Sequence, residues 1–185
     1  MEYITKIWRE ERFNIPVKIV GSYVLWKVFH HFAKMPGTVL GIWWERLVFK
    51  LGAYYAVITV PFVRPFMDHA FARGIGIYMT AGQTIKGVLV QDHCLAIPSM
   101  VVFTATIIFF RGPLRDKVWF IPLGLLGIVA INTARLAMVC LAFLYNSPYY
   151  FEINHSVFGL ILLYGFVFMM LAWWIRRHRP AATSF

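Results

Sequence analysis

The sequence is poor in charged residues and in cysteine. Charged residues make up 14% of its 185 residues, whereas 60% are hydrophobic and the mean hydropathy is +0.67. A soluble domain of this length could not bury so much apolar surface, so the composition predicts an integral membrane protein. The two cysteines, Cys94 and Cys140, form no C-x-x-C pair, which excludes a thioredoxin-like motif and a zinc knuckle.

Several sequence motifs are also absent. The chain has no G-x-S-x-G, H-E-x-x-H, Walker or dinucleotide-binding fingerprint, which argues against the corresponding hydrolase, metalloprotease and nucleotide-dependent classes. His30 and His31 are adjacent and lack a partner at helical spacing, so a metal site is not expected. No small-residue cleavage site precedes the first apolar run, so no signal peptide is expected. The sequence therefore predicts no cofactor and no metal.

Acidic residues are scarce, at 8 against 18 Lys and Arg, which gives a net charge of +10. The basic residues gather beside apolar runs, as in 111–117 and 176–179, so membrane topology explains them better than nucleic-acid binding. The turn 146–154 has no Lys or Arg. The positive-inside rule therefore predicts the two basic segments in the cytoplasm and this turn on the outer side of the cytoplasmic (inner) membrane.

The apolar runs predict an all-α integral membrane helix bundle of four to five spans, forming a single domain over 1–185. Residues 48–66 have two interpretations, a further span or a helix lying at the outer surface. The second is preferred because it places the N-terminus, with its basic residues, in the cytoplasm. Glycine and Ile or Val alternate within 73–93, which predicts two short extracytoplasmic strands. The N-terminal segments are an interfacial helix at 1–16, a first span at 17–34 and a second interfacial segment at 37–47. The C-terminal segment, 94–175, is predicted to be a catalytic core of three helices, at 94–110, 118–145 and 156–175.

Arg135 is the clearest candidate for a functional residue. An arginine inside a membrane helix costs about 2.5–3.5 kcal/mol on insertion scales, so it normally faces a polar interior. Asn132 lies one turn earlier on the same helical face and is a supporting candidate. The helix positions place Arg135 in the outer half of the membrane. The alternative is a structural arginine that binds carbonyl groups or lipid headgroups.

Cys94 is a candidate nucleophile, since the sequence predicts it at the outer start of a helix, where a thiolate is favoured. The alternative is a small buried apolar residue. Cys140 lies within an apolar run and is expected to be inert. His155 is the candidate base, with Glu152 or Asn154 orienting its ring. His155 could equally cap its helix, and His93 is a second candidate base.

The order of these residues resembles the exosortase/archaeosortase family. Cys94 follows a strand-like segment and begins a predicted membrane helix, Asn132-x-x-Arg135 lies in the next helix, and His155 begins the last. The resemblance covers roughly residues 72–175 and is greatest to short exosortase-like proteins of Bacteroidetes-type bacteria. The family commonly has Cys-Ser-Gly or Cys-x-Gly at the nucleophile, whereas this chain has Cys94-Leu95-Ala96.

The resemblance implies a cysteine transpeptidase or protease that acts on membrane-anchored proteins bearing a C-terminal sorting signal. Cys94 would attack the peptide carbonyl, His155 would transfer the proton, and Arg135 would stabilise the oxyanion. The implied partners are those substrates, the lipid bilayer and an amine acceptor of unknown identity, without nucleic acid. Two alternatives remain: a non-enzymatic membrane subunit for transport or assembly, and a membrane thiol oxidoreductase that uses Cys94 and Cys140.

Overall fold

The computed structural model describes residues 2–81, 84–110, 112–144 and 159–178. The chain is mostly helical, at 77%, and carries one small three-stranded sheet. The sheet lies between the second and third helices in the chain order. A helical protein with a short strand segment before Cys94 is therefore confirmed at this coarse level.

The N-terminal part of the chain forms two long helices, α1 (Glu2–Ala33) and α2 (Val39–Val63). The expected boundary between 1–16 and 17–34 is wrong, because α1 continues through Pro16. A proline removes one backbone hydrogen bond, and the helix on either side retains the others. The Thr38 hydroxyl accepts a hydrogen bond from the backbone N–H of Gly41, at 3.0 Å, and caps the start of α2.

The expected division into 37–47 and 48–66 is also wrong, since α2 is continuous across it. Its buried residues recur at helical spacing, which gives the helix one face that packs inward. The C-terminal part of this face consists of Gly52, Tyr55, Ala56, Thr59 and Val63. A short 3-10 turn, Arg64–Phe66, then leads into the sheet.

The sheet has the antiparallel order β1-β2-β3, with β1 at His69–Arg73, β2 at Gly76–Ala81 and β3 at Thr84–Leu89. Two strands were expected within 73–93, and β2 and β3 confirm them, whereas β1 was not predicted. Ile77 and Met79 of β2 are fully buried on the face toward the helices. The sheet packs on α2 closely enough that a side chain at Gly52 would meet Ile75 and the Val90 carbonyl at 3.0 Å.

Three further helices follow within the described residues: α3 (Ile97–Phe109), α4 (Leu114–Leu144) and α5 (Gly159–Arg177). They confirm helices within the predicted segments 94–110, 118–145 and 156–175. Lys117 Nζ donates to the carbonyl oxygens of Ile108 and Phe110, at 2.8 and 2.7 Å, and so ties the start of α4 to the end of α3. His178 Nε2 lies 2.9 Å from Asp116 Oδ2, which joins the end of α5 to the same turn.

The helix α4 belongs to two hydrophobic cores. Its first half packs with α3 and α5 around Phe103, Phe120 and Trp174. Its second half packs with α2 and the sheet around Tyr55 and Leu136. At 1.5 Å per residue its 31 residues extend about 46 Å, which is longer than the roughly 30 Å hydrocarbon core of a bilayer.

Two helices in the described part of the chain are long and apolar enough to cross a membrane. One is Leu114–Leu144, with a mean hydropathy of 2.0, and the other is Val39–Phe66, with 1.4. The helix Ile97–Phe109 is apolar but shorter. These helices give weak support for a membrane location, by length and composition.

Close helix packing at Gly124 gives a test of this arrangement. A Cβ at Gly124 would overlap the ring of Phe103, which is fully buried. Gly124→Ala should therefore lower the free energy of unfolding by about 1–3 kcal/mol, because the ring must move within a filled core. Thermal unfolding of the detergent-solubilised protein, followed by circular dichroism, measures the change.

Gly165→Ala is the matched control, since an added Cβ at this position in α5 has no atom within 4 Å among the described neighbours. Alanine is the better helix former, so this variant should match or exceed the wild-type stability. Equal losses in the two variants would contradict the described packing of α3 on α4.

Candidate functional site

Cys94 lies at the end of a 3-10 turn, Asp92–Cys94, and its backbone N–H donates to the Gln91 carbonyl at 2.8 Å. The expectation that Cys94 begins a membrane helix is wrong, because α3 starts at Ile97 and Leu95 and Ala96 separate the two. Cys94 therefore does not occupy the N-terminus of α3. The side chain is half-buried, and it packs against the core that α2, α4 and the sheet share.

Ala96 turns the chain from the Cys94 turn into α3 through a left-handed backbone conformation, with φ of +54° and ψ of +20°. That conformation costs about 1–2 kcal/mol for an L-residue and is readily adopted by glycine. Glycine at this position would adopt the left-handed conformation without the backbone strain that alanine carries.

Asn132 connects the Cys94 turn to α4. Its Nδ2 donates a 2.7 Å hydrogen bond to the carbonyl oxygen of Cys94, and its Oδ1 accepts a longer one, 3.4 Å, from Arg135 Nη1. Asn132 has no exposed surface. The two hydrogen bonds therefore join the Cys94 backbone and the Arg135 side chain in one polar cluster around Asn132.

The level of the cluster along α4 differs from the expectation. Cys94 was expected at the outer end of a helix, with Arg135 deeper and brought toward it by tilt. Instead the Cys94 carbonyl lies beside Asn132, which is twelve residues, or about 18 Å, before the last residue of α4, Leu144. Lys86 Nζ donates to the Leu144 carbonyl at 2.9 Å, so β3 contacts the terminal turn of α4 beyond the cluster.

Arg135 is only 6% exposed, and its Nε is buried without a hydrogen-bond partner among the described residues. A buried donor without a partner costs about 1–3 kcal/mol, and more when the group is charged. The ion pairs within the described ranges do not include Arg135. The guanidinium is thus available to an additional acceptor, such as a carbonyl or an oxyanion.

Tyr55 of α2 completes the described part of the cluster, and the sequence analysis did not identify it. Its side chain lies against Asn132 and is 1% exposed, yet its hydroxyl makes no hydrogen bond of ordinary geometry within the described chain. The small residues Gly52 and Ala56, four positions apart on α2, were the available sequence signal that this face of the helix packs closely against another element. Its proximity to α4 depends on the packing of helices far apart in sequence.

A charged cluster beside the Cys94 turn was also missed. Asp92 Oδ2 lies 2.7 Å from Lys34 Nζ and 3.1 Å from His30 Nε2, so the end of α1 is tied to the residue two positions before Cys94. The His30 ring stacks on Trp26 and meets Trp44 edge-on. His30 was interpreted as an interfacial residue, and its partner lies 62 positions away, beyond the reach of a local pattern.

Three of the predicted site residues, His155, Glu152 and Asn154, lie outside the described residues. The second candidate base, His93, is exposed on the 3-10 turn. Cys140 is fully buried in the core against which Cys94 packs. The described part of the site therefore consists of a cysteine, an asparagine, an arginine and a tyrosine around one polar cluster.

No family model, no curated protein and no solved structure matches the chain.

The ion pairs at Asp92 predict a pH dependence. Partial burial raises the pKa of Asp92, but hydrogen bonds from Lys34 and His30 outweigh it and lower the pKa below its usual value. A carboxyl with a lowered folded-state pKa stabilises the fold above its unfolded pKa, near 3.9, and loses this effect as the pH falls through its folded pKa. Asp92→Asn should lower stability by about 1 kcal/mol at pH 7, since both partners of Asp92 are partly exposed.

The difference in stability between wild type and Asp92→Asn should shrink as the pH falls below the unfolded-state pKa of about 3.9, because the unfolded chain then binds a proton at Asp92 before the folded protein does. Thermal unfolding of both proteins in detergent between pH 7 and pH 3 measures it. A difference that stays constant down to pH 3 would show that the charge of Asp92 does not stabilise the fold.

Proposed function

We propose that this chain is a membrane-embedded cysteine transpeptidase or protease, similar to exosortases, that cleaves the C-terminal sorting signal of exported proteins. The observation that carries the proposal is the hydrogen-bonded link from the Cys94 carbonyl through Asn132 to Arg135. It brings the candidate nucleophile and the candidate oxyanion donor into one cluster although 41 positions separate them in sequence. An arginine used only to join helices would not need an unpartnered Nε.

Exposed apolar surface supports a multi-pass arrangement in the cytoplasmic membrane as part of the proposal. Large apolar side chains are exposed on α1, α2, α4 and α5, for example Val24, Val39, Val118 and Phe168, as suits lipid contact. The basic segments 112–117 and 176–178 adjoin through the contact between Asp116 and His178. The positive-inside rule assigns that end of the bundle to the cytoplasm.

The length of α4 then gives the depth of the site. Asn132 is 18 residues beyond Leu114, hence about 27 Å from the cytoplasmic end of the helix. In a hydrocarbon core of roughly 30 Å this level is close to the outer interface. The remaining turns of α4 and the sheet lie beyond it, on the extracytoplasmic side, where the C-terminal signal of an exported protein is accessible.

The reaction proceeds through an acyl-enzyme. The Cys94 thiol gives its proton to His155, and the sulfur attacks the peptide carbonyl carbon while the carbonyl electron pair moves to oxygen. Arg135 stabilises the oxyanion, and collapse expels the amine, which takes the proton from His155. An amine acceptor then gives transfer and water gives hydrolysis. The base lies outside the described residues, and its role rests on the resemblance.

Cys94→Ala should leave the exported substrates with their C-terminal membrane anchors, because no acyl-enzyme forms without the thiol. Quantitative proteomics of membrane and secreted fractions from a strain carrying the variant measures precursor retention.

Arg135→Gln should slow precursor processing by about 10²–10³-fold, as expected for loss of one oxyanion donor. The same proteomic measurement, followed over time, gives the processing rate.

Cys140→Ala is the matched control, since Cys140 is buried in the same core and should not be needed for processing. Western blotting should find all three variants inserted at wild-type levels. Normal precursor processing in the Cys94→Ala strain would overturn the proposed function.

A membrane thiol oxidoreductase is the second candidate, because Cys94 packs against the core that contains Cys140. Such an enzyme would oxidise the two thiols to a disulfide and pass two electrons and two protons to an external acceptor. Cys140→Ser distinguishes the two candidate functions, because only the oxidoreductase needs Cys140. Loss of the protein's activity on its substrate in this variant would favour the oxidoreductase, and wild-type activity on the precursor would favour the cysteine peptidase.

A further inference from the structure

Three buried side-chain polar atoms in the described part of the chain have no hydrogen-bond partner, and two of them adjoin Asn132. These two are Arg135 Nε, one helical turn along α4, and Tyr55 Oη, on the facing side of α2. The third, Thr106 Oγ1, lies near the far end of α3. Buried polar groups are normally bonded, so two such donors around one amide are a specific feature of this cluster.

The surroundings of the two donors explain what they could bind. Both side chains are more than nine-tenths buried, at 6% exposure for Arg135 and 1% for Tyr55. The Nε and the hydroxyl group each offer a hydrogen, and the arginine offers a positive charge. Asn132 donates to the Cys94 carbonyl and accepts from Arg135, and its side-chain amide lies near the Tyr55 hydroxyl without the geometry of a hydrogen bond. An acceptor oxygen with negative or partial negative charge is the ligand that would satisfy both donors at once.

We propose that Tyr55 is a further catalytic residue, whose hydroxyl donates a hydrogen bond, together with Arg135 Nε, to the carbonyl oxygen of the peptide group that Cys94 attacks. This inference rests on the proposed function. The bond strengthens as the sulfur–carbon bond forms and the oxygen gains the electron pair, and it weakens again when the amine leaves. Tyr55 keeps its proton throughout, so it acts by hydrogen bonding and not as an acid.

The stability of the free protein supports the same inference. A hydroxyl buried without a partner makes the fold less stable, whereas a phenylalanine ring would fill the same core without that cost. A tyrosine that only fills the core would gain nothing from its oxygen. We expect the hydroxyl to find its acceptor when substrate is bound.

Tyr55→Phe is the decisive variant, because it removes only the oxygen. The assay uses full-length protein in detergent and the membrane-anchored precursor that accumulates in the Cys94→Ala strain. We expect kcat to fall by about 10–10³-fold, the range for one oxyanion-hole donor, with little change in KM. The thermal unfolding midpoint should equal or exceed that of the wild type.

Tyr54→Phe is the matched control, since the neighbouring tyrosine is 57% exposed and should change neither kcat nor stability. A wild-type kcat in Tyr55→Phe would overturn the inference, and so would a lowered unfolding midpoint, which would mean that the hydroxyl is bonded within the free fold. If Cys94→Ala cleaves normally, the proposed function fails as well. If Cys94→Ala is inactive and Tyr55→Phe is normal, only the role of Tyr55 fails.

Discussion

The hydrogen bonds of Asn132 hold together the part of the molecule on which the account depends. One buried amide binds the backbone of the Cys94 turn and the guanidinium of Arg135. Without it, the Cys94 carbonyl and the Arg135 Nη1 would each lose a partner inside an apolar core, at about 1–3 kcal/mol each. The amide thus fixes the Cys94 turn relative to α4 and holds the guanidinium of Arg135 beside it.

The two cores of the molecule position this cluster at their junction. The first half of α4 packs in a helical bundle, and the second half packs with α2 and the sheet. Asn132 lies at the change from one to the other, where the chain also enters α3 through the left-handed Ala96. Backbone strain and unpartnered donors coincide here, and proteins tolerate such costs mainly at functional sites.

Local sequence patterns predicted part of the structure. Long apolar runs indicated α4 and α5, alternation indicated β2 and β3, and the helical spacing of Asn132 and Arg135 placed both on one face. These features depend on neighbouring residues alone. The site residues His155, Glu152 and Asn154 remain predictions.

Other features required tertiary packing. The exact position of Cys94 follows from the turn at Ala96, and no local rule predicts a left-handed alanine. Tyr55 meets Asn132 across two helices, and His30 meets Asp92 across 62 residues. The boundary expected at Pro16 failed because a proline within a long helix removes only one hydrogen bond.

The central claim is that Cys94 forms a covalent intermediate, and detection of that intermediate tests it most directly. Wild-type protein is mixed with the membrane-anchored precursor, quenched in acid, digested and analysed by mass spectrometry, with and without hydroxylamine. The account predicts a peptide acyl group on Cys94, joined through a thioester that hydroxylamine removes, and none on Cys140. Processing of the precursor without any adduct on Cys94 would contradict it.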